Sequence, residues 1–448
     1  MLYYVAELSK YFICLCMLLY ILSCAFYFFL AERRQKWIIR RQRIYIILMQ
    51  LLSYLTMSLL TGKVDYIFFC FFLQIVLFSY SVLFSMIYPG AVKEMMNHMI
   101  LMINIGFIIL ARLDLSKAYK QFFIVIFSLI VTMFVPYLMK HLTFLKNIKW
   151  VYAAVGVVML GVVLILGQVT HGSKISYSIG EITFQPSEFV KIIFIFCIAA
   201  FLNESLSFKN IVITTLVAAM HVVIFVLSRD LGSALIFFMG YLLILFIATK
   251  NYLYLLGGAA CGSVAAVVSY KVFRHVRVRV AAFLNPLQVI ENEGFQISQS
   301  LFALTCGSWF GTGLMKGSPT DIPYVESDFI FSAVAEEMGV IVAIAVLIVC
   351  LCCFYLFMNT AFQTKDRFYK LLCMGLGIMY IFQVFLTVGG GIKFIPLTGV
   401  TLPFISYGGS SIMTSLLAFS VYQGIAILSD IKQPATETRY EEEAEYED

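Results

Sequence analysis

The chain has 448 residues, of which 62% are hydrophobic and 12% are charged, and its formal net charge is +6. A mean hydropathy of +0.94 over this length excludes a water-soluble globular protein. The composition therefore predicts a polytopic membrane protein, and we expect no nucleic-acid partner.

Apolar segments of helical length follow one another along most of the chain. Because lipid offers no hydrogen-bond partners to the backbone, and no barrel pattern is visible, the spans must be helices. About thirteen segments are long enough to cross a membrane, at approximately 11–31, 44–62, 66–88, 96–112, 122–140, 150–168, 187–203, 209–227, 232–249, 252–270, 329–358, 370–389 and 408–428. The sequence thus predicts an all-α polytopic membrane protein with about 13 transmembrane helices.

Basic residues between the first two apolar segments set the expected orientation, and they are Arg33, Arg34, Lys36, Arg40, Arg41 and Arg43. Short cytoplasmic loops are rich in Lys and Arg, so this loop is expected to be cytoplasmic. The N-terminus is then outside and the C-terminus inside. Arg112, Lys117 and Lys120 argue against this order, because alternation of the spans places them outside.

Two further features of composition carry expectations. Residues 430–448 contain eight acidic and two basic residues and are expected to form a disordered cytoplasmic tail. The eleven cysteines are scattered, mostly inside apolar runs, with neither metal-ligand spacing nor a visible disulfide framework. We interpret them as small, buried apolar residues.

Alternation of the spans gathers polar loops with few basic residues on the outer side. They cover 169–186, 228–232, 271–328 and 390–407. The 271–328 stretch is the longest, and its apolar patches and glycines predict an ordered, re-entrant or interfacial loop.

Acidic residues lie where this long loop enters the membrane. Asp328 is the last acidic residue before a long apolar run, and Glu336 and Glu337 follow two turns inside it. Carboxylates at membrane depth are costly and usually face a cavity or a partner. The segment therefore indicates a functional site.

Other outer blocks carry polar residues whose roles the residues alone leave open. Glu188 and Lys191 share one face of a helix, and an ion pair at a helix start explains them as well as a site role does. Asp230 lies in a charged break between two spans. Arg277 and Arg279 could clamp a phosphate group, although contact with lipid head groups is the more frequent role of such arginines.

Together, in this order, these blocks resemble the shape, elongation, division and sporulation (SEDS) family of RodA-, FtsW- and SpoVE-type peptidoglycan polymerases. The matching stretches are QPSEFVK, DLGSAL, GFQISQS with FGTG, DFIF with AEE, and PLTGVTLPFISYGGSS. The resemblance implies a ten-helix catalytic core at 96–429, containing the large extracellular loop 271–328, with a three-helix N-terminal extension at 1–95.

The resemblance implies an enzyme of the bacterial cytoplasmic membrane. Its substrate would be lipid II, the undecaprenyl-pyrophosphate-linked disaccharide peptide, which it would polymerise into glycan strands at the outer face. Its partners would be a class B penicillin-binding protein transpeptidase and membrane lipids. Whether elongation, division or sporulation is served stays open.

The family's motifs also assign residues. The catalytic residue is Asp328, and the buried structural charges are Glu336 and Glu337. Substrate-binding roles fall on Glu188, Lys191, Asp230, Arg277, Arg279, Gln299 and Ser406. Glu326 stands where the family often has a histidine.

Glycosyl transfer from a polyprenyl pyrophosphate needs a base for the attacking hydroxyl and positive charge for the leaving group. Asp328 suits the first role, and Arg277 and Arg279 suit the second. If their segment is extended, both arginines point the same way and can grip phosphate at two points. No dedicated metal cage is visible, and carboxylates with substrate phosphates would favour Mg²⁺ or Mn²⁺ as a cofactor.

A second interpretation comes from a different functional class. Polar residues inside a helical bundle also fit a flippase or transporter of lipid-linked precursors, and an inactive scaffold of the cell-wall machinery fits as well. A transporter needs polar groups through the midplane, whereas here they gather on one face. No convincing internal repeat is visible, which also favours the enzyme.

Overall fold

The computed structural model describes residues 2–27, 32–170, 173–179, 182–292 and 294–430. Its helices are α1 (Leu2–Tyr27), α2 (Glu32–Thr61), α3 (Asp65–Ile87), α4 (Lys93–Leu113), α5 (Leu115–Met133), α6 (Val135–His141), α7 (Lys149–Leu166), α8 (Pro186–Glu204), α9 (Phe208–Leu227), α10 (Leu231–Thr249), α11 (Tyr252–Val272), α12 (Arg274–Leu284), α13 (Phe295–Gly307), α14 (Ile330–Met338), α15 (Val340–Gln363), α16 (Arg367–Gly391) and α17 (Gly409–Asp430).

Thirteen helical stretches in the described ranges are long and apolar enough to cross a membrane, with α5 and α6 together forming one of them. The predicted all-α polytopic membrane fold is confirmed. The loop between α7 and α8 adds three short antiparallel strands that the sequence did not predict. They are β1 (Gln168–Thr170), β2 (Ser173–Ile179) and β3 (Ile182–Phe184), ordered β1-β2-β3.

The basic residues near position 40 lie in a helix and not in a loop. Helix α2 begins at Glu32, so Lys36, Arg40 and Arg41 occupy its first turns with exposed side chains. The expectation of a basic loop is wrong because charged side chains at a helix end reach water without breaking the helix.

The prediction of a single span at 329–358 is also wrong. The chain breaks at Gly339, whose φ is +94°, and this separates the short helix α14 from the spanning helix α15. A side chain at this conformation is disfavoured, and a Cβ added there would lie 2.5 Å from the carbonyl oxygen of Trp309. Helix α14 is therefore a fully buried, non-spanning element that begins just after Asp328.

Helix α4 forms the centre of the bundle. In its most apolar stretch 89% of the residues are buried, whereas no residue of the peripheral helix α11 is buried. Along α4, Glu94 lies at the start and Arg112 at the end, so this helix connects the two ends of the bundle.

The long 271–328 stretch contains α12, α13 and a 3₁₀ turn at Pro319–Asp321. Lys316 in this stretch donates to Glu7 Oε1 at 2.6 Å, which places the start of α1 at the Asp328 end of the bundle. An odd number of spans then places the end of α17 at the opposite end. The predicted acidic tail at 430–448 begins with Asp430, which is the last residue of α17, and the rest of it, 431–448, lies outside the described residues.

Candidate active site at the Asp328 end

Asp328 is half-buried in a turn that leads directly into α14. The backbone N–H groups of Ser327 and Asp328 both donate to the carbonyl oxygen of Tyr324, each at 3.1 Å. Tyr324 has a φ of +59°, in the left-handed region. This tight turn fixes where the Asp328 carboxylate emerges from the membrane-embedded part of the protein.

The segment before α17 supports this turn from the other side. Ser406 Oγ donates to the carbonyl oxygen of Ser327 at 2.5 Å, and Tyr407 N donates to that of Glu326 at 2.7 Å. The Glu326 carboxylate accepts from Lys117 Nζ at 2.5 Å. Ser406 is 2% exposed. It therefore acts as a positioning residue in this structure, and its predicted contact with substrate stays a prediction.

Arg279 and Asp328 meet beside Gly399. A Cβ added at Gly399 would lie 3.5 Å from Arg279 Nη2 and 3.7 Å from Asp328 Oδ2. Arg279 Nη1 donates to the carbonyl oxygen of Thr398 at 3.1 Å, which fixes the guanidinium. Gly399 has a φ of +74°, so a residue without a Cβ allows this segment to turn around the two charged groups.

Asp230 brings a second carboxylate to Arg279. It caps α10 by accepting from Ser233 N at 3.1 Å, while its other oxygen, Oδ2, is buried without a hydrogen-bond partner. Burial raises the pKa of Asp230, and the nearby carboxylate of Glu188 adds to this, whereas Ser233 and Arg279 act in the opposite direction. Burial also lowers the pKa of Arg279, which Asp230 and Asp328 counteract.

The expected pairing of Arg277 with Arg279 is not found. Their segment is helical, and two residues apart on a helix is more than half a turn, so the side chains diverge. Arg277 Nη1 donates at the exposed surface to the carbonyl oxygen of Lys271 at 3.0 Å. The structure thus separates the two arginines, and a substrate contact of Arg277 stays a prediction.

His275 is the residue of α12 that shares the Arg279 face, because it lies four positions earlier. Burial lowers the pKa of His275, and the charges of Arg279 and Arg229 lower it further. Its Nε2 atom is buried without a hydrogen-bond partner. Arg229 and Arg279 therefore place two positive charges near His275. The four-residue spacing on a helix could have predicted the proximity of His275 to Arg279.

Glu188 and Lys191 form an ion pair at 2.7 Å at the start of α8. Lys191 Nζ also donates to Gln383 Oε1 at 2.8 Å, and Gln383 Nε2 donates to the carbonyl oxygen of Thr401 at 2.9 Å. Thr414 Oγ1 donates to Glu188 Oε2 at 3.3 Å. The side chains of Glu188, Lys191, Gln383 and Thr414 line one cleft. The sequence did not predict the contributions of Gln383 and Thr414.

The buried acids of α14 hold the loop that precedes the site. Glu337 Oε1 accepts from Arg112 Nε at 2.6 Å, and Arg112 Nη2 donates to the carbonyl oxygen of Gly317 at 2.8 Å. Glu336 Oε1 accepts from Ser318 N at 2.7 Å. These contacts fit the structural role expected of Glu336 and Glu337. They also give Arg112 a partner, since its guanidinium neutralises a buried acid.

Gln299 is half-buried on α13, between the buried residues Ser298 and Ser300. Ser300 Oγ lies 2.6 Å from Ser332 Oγ, which joins α13 to α14. The structure thus shows how its neighbours pack, while the predicted substrate contact of Gln299 stays a prediction.

Among the described residues, the carboxylates at this end do not form a metal cage with one another. Within the described residues, the one group of three or more His, Cys, Asp or Glu ligand atoms within 4.8 Å of one another lies elsewhere, at Cys24, Glu94 and His98. At the Asp328 end, Arg279 places positive charge beside both aspartates. Binding of Mg²⁺ or Mn²⁺ here stays a prediction that would depend on substrate phosphates.

Comparison with known proteins agrees with this architecture. A sequence model of the FtsW, RodA and SpoVE family, described as "Cell cycle protein", matches residues 93–430. The chain is 32% identical to the peptidoglycan glycosyltransferase RodA of Mycobacterium bovis over 309 residues, which are 63% of this chain and 66% of that protein. It is 33% identical over 279 residues to the probable peptidoglycan glycosyltransferase FtsW of Wigglesworthia glossinidia brevipalpis, covering 59% and 72%.

Solved structures show the same fold at lower identity. One comes from work on the structural coordination of polymerization and crosslinking by a peptidoglycan synthase complex, with a TM-score of 0.65, 22% identity, and 77% and 99% coverage of the two chains. RodA of Thermus thermophilus gives a TM-score of 0.56, 20% identity, and 77% and 98% coverage.

Proposed function

Because the chain belongs to the FtsW, RodA and SpoVE family, we propose that it is a membrane glycosyltransferase that polymerises lipid II into glycan strands. The relatives from M. bovis and W. glossinidia carry the names of peptidoglycan glycosyltransferases. The observation that carries the proposal is the approach of the Asp328 carboxylate and the Arg279 guanidinium beside Gly399, at the membrane-embedded end of the long loop.

Asp328 is the general base of the proposed reaction. A sugar hydroxyl of one substrate attacks the anomeric carbon of another, and the bond from that carbon to the pyrophosphate oxygen breaks. The Asp328 carboxylate accepts the hydroxyl proton as the new bond forms. A positioned base of this kind contributes roughly 10²–10⁴-fold to the rate.

The positive charges of Arg229 and Arg279, which lie near His275, stabilise the departing pyrophosphate. Arg279 is held by the Thr398 carbonyl oxygen, so its charge is fixed before the reaction begins. Preorganised charge of this kind stabilises a transition state without reorganisation. A bound Mg²⁺ or Mn²⁺ would supply additional positive charge to the same phosphates.

Orientation and partner form part of the proposal. The contact between Glu7 and Lys316 supports an N-terminus on the same side of the membrane as Asp328, which we assign to the outer face of the bacterial cytoplasmic membrane. The C-terminus is then inside. The structural relative from work on a peptidoglycan synthase complex supports a class B penicillin-binding protein transpeptidase as partner.

The test is polymerisation of labelled lipid II by the purified full-length chain, with and without its transpeptidase. Asp328→Ala is expected to lower the rate by roughly 10²–10⁴-fold, because the base is lost and little packing is removed. Asp321→Ala is the matched control, since Asp321 is an exposed acid in the same loop.

Polymerisation by Asp328→Ala at the wild-type rate would remove Asp328 from the chemistry. Movement of labelled lipid II across a vesicle membrane, without polymer formation by the wild-type protein, would favour the transport alternative. Neither activity in a well-folded complex would favour the scaffold alternative.

A further inference from the structure

A second cluster of reactive side chains lies at the opposite end of the bundle from Asp328. Cys24 is near the end of α1, and Glu94 and His98 lie one turn apart at the start of α4. One potential ligand atom from each lies within 4.8 Å of the other two. The side chains are buried, with 1%, 0% and 0% exposure respectively. The proposed transferase reaction uses none of them.

Three polar atoms of this cluster lack a hydrogen bond of standard geometry. They are the two carboxylate oxygens of Glu94 and the Nε2 atom of His98, and all three are buried, with the Gln42 side chain near the Glu94 carboxylate. The closest approach between them, from His98 Nε2 to Glu94 Oε1, is 3.8 Å, which is too long for a hydrogen bond. Buried ionisable groups are ordinarily paired, hydrogen-bonded or bound to a metal ion.

The surrounding residues orient these groups toward one another. Tyr20 Oη lies 2.7 Å from His98 Nδ1. When Nδ1 carries the proton and donates to Tyr20, the lone pair of Nε2 points into the cluster, as in metal-binding histidines. Gln42 Nε2 donates to Cys24 Sγ at 3.6 Å, and Asn97 Nδ2 fixes Gln42 by donating to its Oε1 at 2.9 Å.

We propose that Cys24, Glu94 and His98 bind a divalent transition-metal cation inside the membrane bundle, and that the cation is zinc. Thiolate, imidazole and carboxylate are the ligands that zinc prefers. One thiolate and one carboxylate neutralise the two positive charges, so the loaded site carries no net charge into the apolar interior.

The geometry needs only small side-chain movements to close on the ion. Ligand atoms around a tetrahedral zinc lie about 3.5 Å apart, since the metal–ligand distances are about 2.0–2.3 Å. The cluster at 4.8 Å or less therefore contracts by about 1 Å on binding.

The location of this site gives it a structural role. Cys24 belongs to the N-terminal extension, whereas Glu94 and His98 lie within residues 93–430, the part that matches the family. The three ligands are buried and lie at the opposite end of the bundle from Asp328, so the ion has a structural role rather than a catalytic one. The ion therefore fastens α1 to α4, and so joins the extension to the core.

The experiment measures metal in the full-length chain purified in detergent. Mass spectrometry of the metal content is expected to find about one zinc per chain. Cys24→Ser, Glu94→Gln and His98→Gln are each expected to lose most of it. Cys14→Ser is the matched control, because Cys14 is buried on the same helix but lies outside the cluster. Tyr20→Phe is expected to weaken zinc binding by roughly 10–100-fold.

Two outcomes would overturn the proposal. One is a wild-type chain that holds no metal even after equilibration with Zn²⁺ or Co²⁺. The other is a metal content that none of the three ligand variants lowers. If the variants do not fold, X-ray absorption on the unmodified protein decides, because sulfur and nitrogen ligands support the site and oxygen ligands alone reject it.

Discussion

The two ends of helix α4 place ionisable side chains in opposite situations. At one end Arg112 pairs with the buried Glu337, and both hold the loop that leads to Asp328. At the other end, about 27 Å away along the helix, Glu94 is buried with neither oxygen hydrogen-bonded. Helix α4 therefore carries an arginine at one end that is paired with a buried carboxylate. At its other end it carries a buried carboxylate whose charge a bound cation would balance.

This difference shows how charge is tolerated at membrane depth. The Asp328 end combines half-buried acids with arginines and a lysine, so a charged substrate meets groups that are already compensated and partly hydrated. At the other end, the side chains of Cys24, Glu94 and His98 are buried, and no ion pair among the described residues joins Glu94 to a lysine or an arginine. A site that is open to water and whose charges are compensated suits a reacting substrate. A buried site with an uncompensated carboxylate suits a bound cation.

The largest expected effect in this comparison is the difference in polymerisation rate between variants of Arg277 and Arg279 on α12. Arg279→Lys should lower the polymerisation rate by about 10²-fold, because the amine cannot reproduce the fixed guanidinium beside Asp328. Arg277→Lys should leave the rate close to that of the wild type, because Arg277 contacts only an exposed backbone carbonyl. The rate of lipid II polymerisation measures both.

The double Lys variant is expected to match Arg279→Lys alone. A loss of similar size in Arg277→Lys would mean that both arginines grip substrate, and that α12 changes its conformation on binding.

The next effect concerns the buried ion pair between Arg112, at the end of α4, and Glu337. Arg112→Met leaves Glu337 buried without its cation and should destabilise the fold by about 3–5 kcal/mol. Replacing both Arg112 and Glu337 by Met should restore most of that loss. Unfolding of the purified chain in detergent measures each variant.

Lys117→Met is the control for this pair, because Lys117 and Glu326 are partly exposed and their ion pair is expected to contribute about 0–1 kcal/mol. Equal losses of stability in Arg112→Met and Lys117→Met would show that the buried ion pair and the partly exposed one contribute alike.

The smallest effect lies at the Glu94 end, where Asp366 caps α16 and accepts from Lys146. Burial raises the pKa of Asp366, but Lys146 and the capping N–H groups outweigh this and lower it below 3.8. Asp366→Asn should therefore destabilise the fold by about 0.5–1 kcal/mol at neutral pH.

The sign of this effect fixes its pH dependence. A lowered folded pKa stabilises the protein above the unfolded value and ceases to do so as pH falls through the folded value. The difference between wild type and Asp366→Asn should disappear in acid, below pH 3.8. A difference that persisted there would assign the effect to the cap geometry.

Much of the fold could be predicted from local patterns. The spans follow from the length of apolar runs, since only helices satisfy the backbone in lipid. The break at Gly339 could not be predicted from hydropathy, because α14 and α15 are both apolar. The positive φ and the close approach of the Trp309 carbonyl oxygen, which require the glycine, are properties of the folded chain. The helical form of the basic segment near Arg40 could not be predicted from hydropathy either, because a run of charged residues between two apolar segments is typical of a loop.

The candidate site was predicted unevenly. Asp328, Arg279, Asp230 and Glu188 stood in recognisable blocks, and the structure brings charges of these blocks toward Arg279. Lys117 and Gln383 were not predicted as members of the site, because each acts through a partner distant in the sequence. His275 was not predicted either, although it lies four residues before Arg279 on the same helix. The pairing of Arg277 with Arg279 is predicted only for an extended segment, where side chains two residues apart point the same way. The segment is helical, so the two side chains diverge.

The sequence by itself determined that this chain crosses a membrane, how many times it does so, and which blocks resemble a known family. Those properties depend on local composition and on residue order. Tertiary structure alone decided which charges meet, as with Arg112 and Glu337, which are 225 positions apart. It also decided that Cys24 faces Glu94 and His98. Such pairings depend on how the helices pack, which no short stretch of sequence encodes.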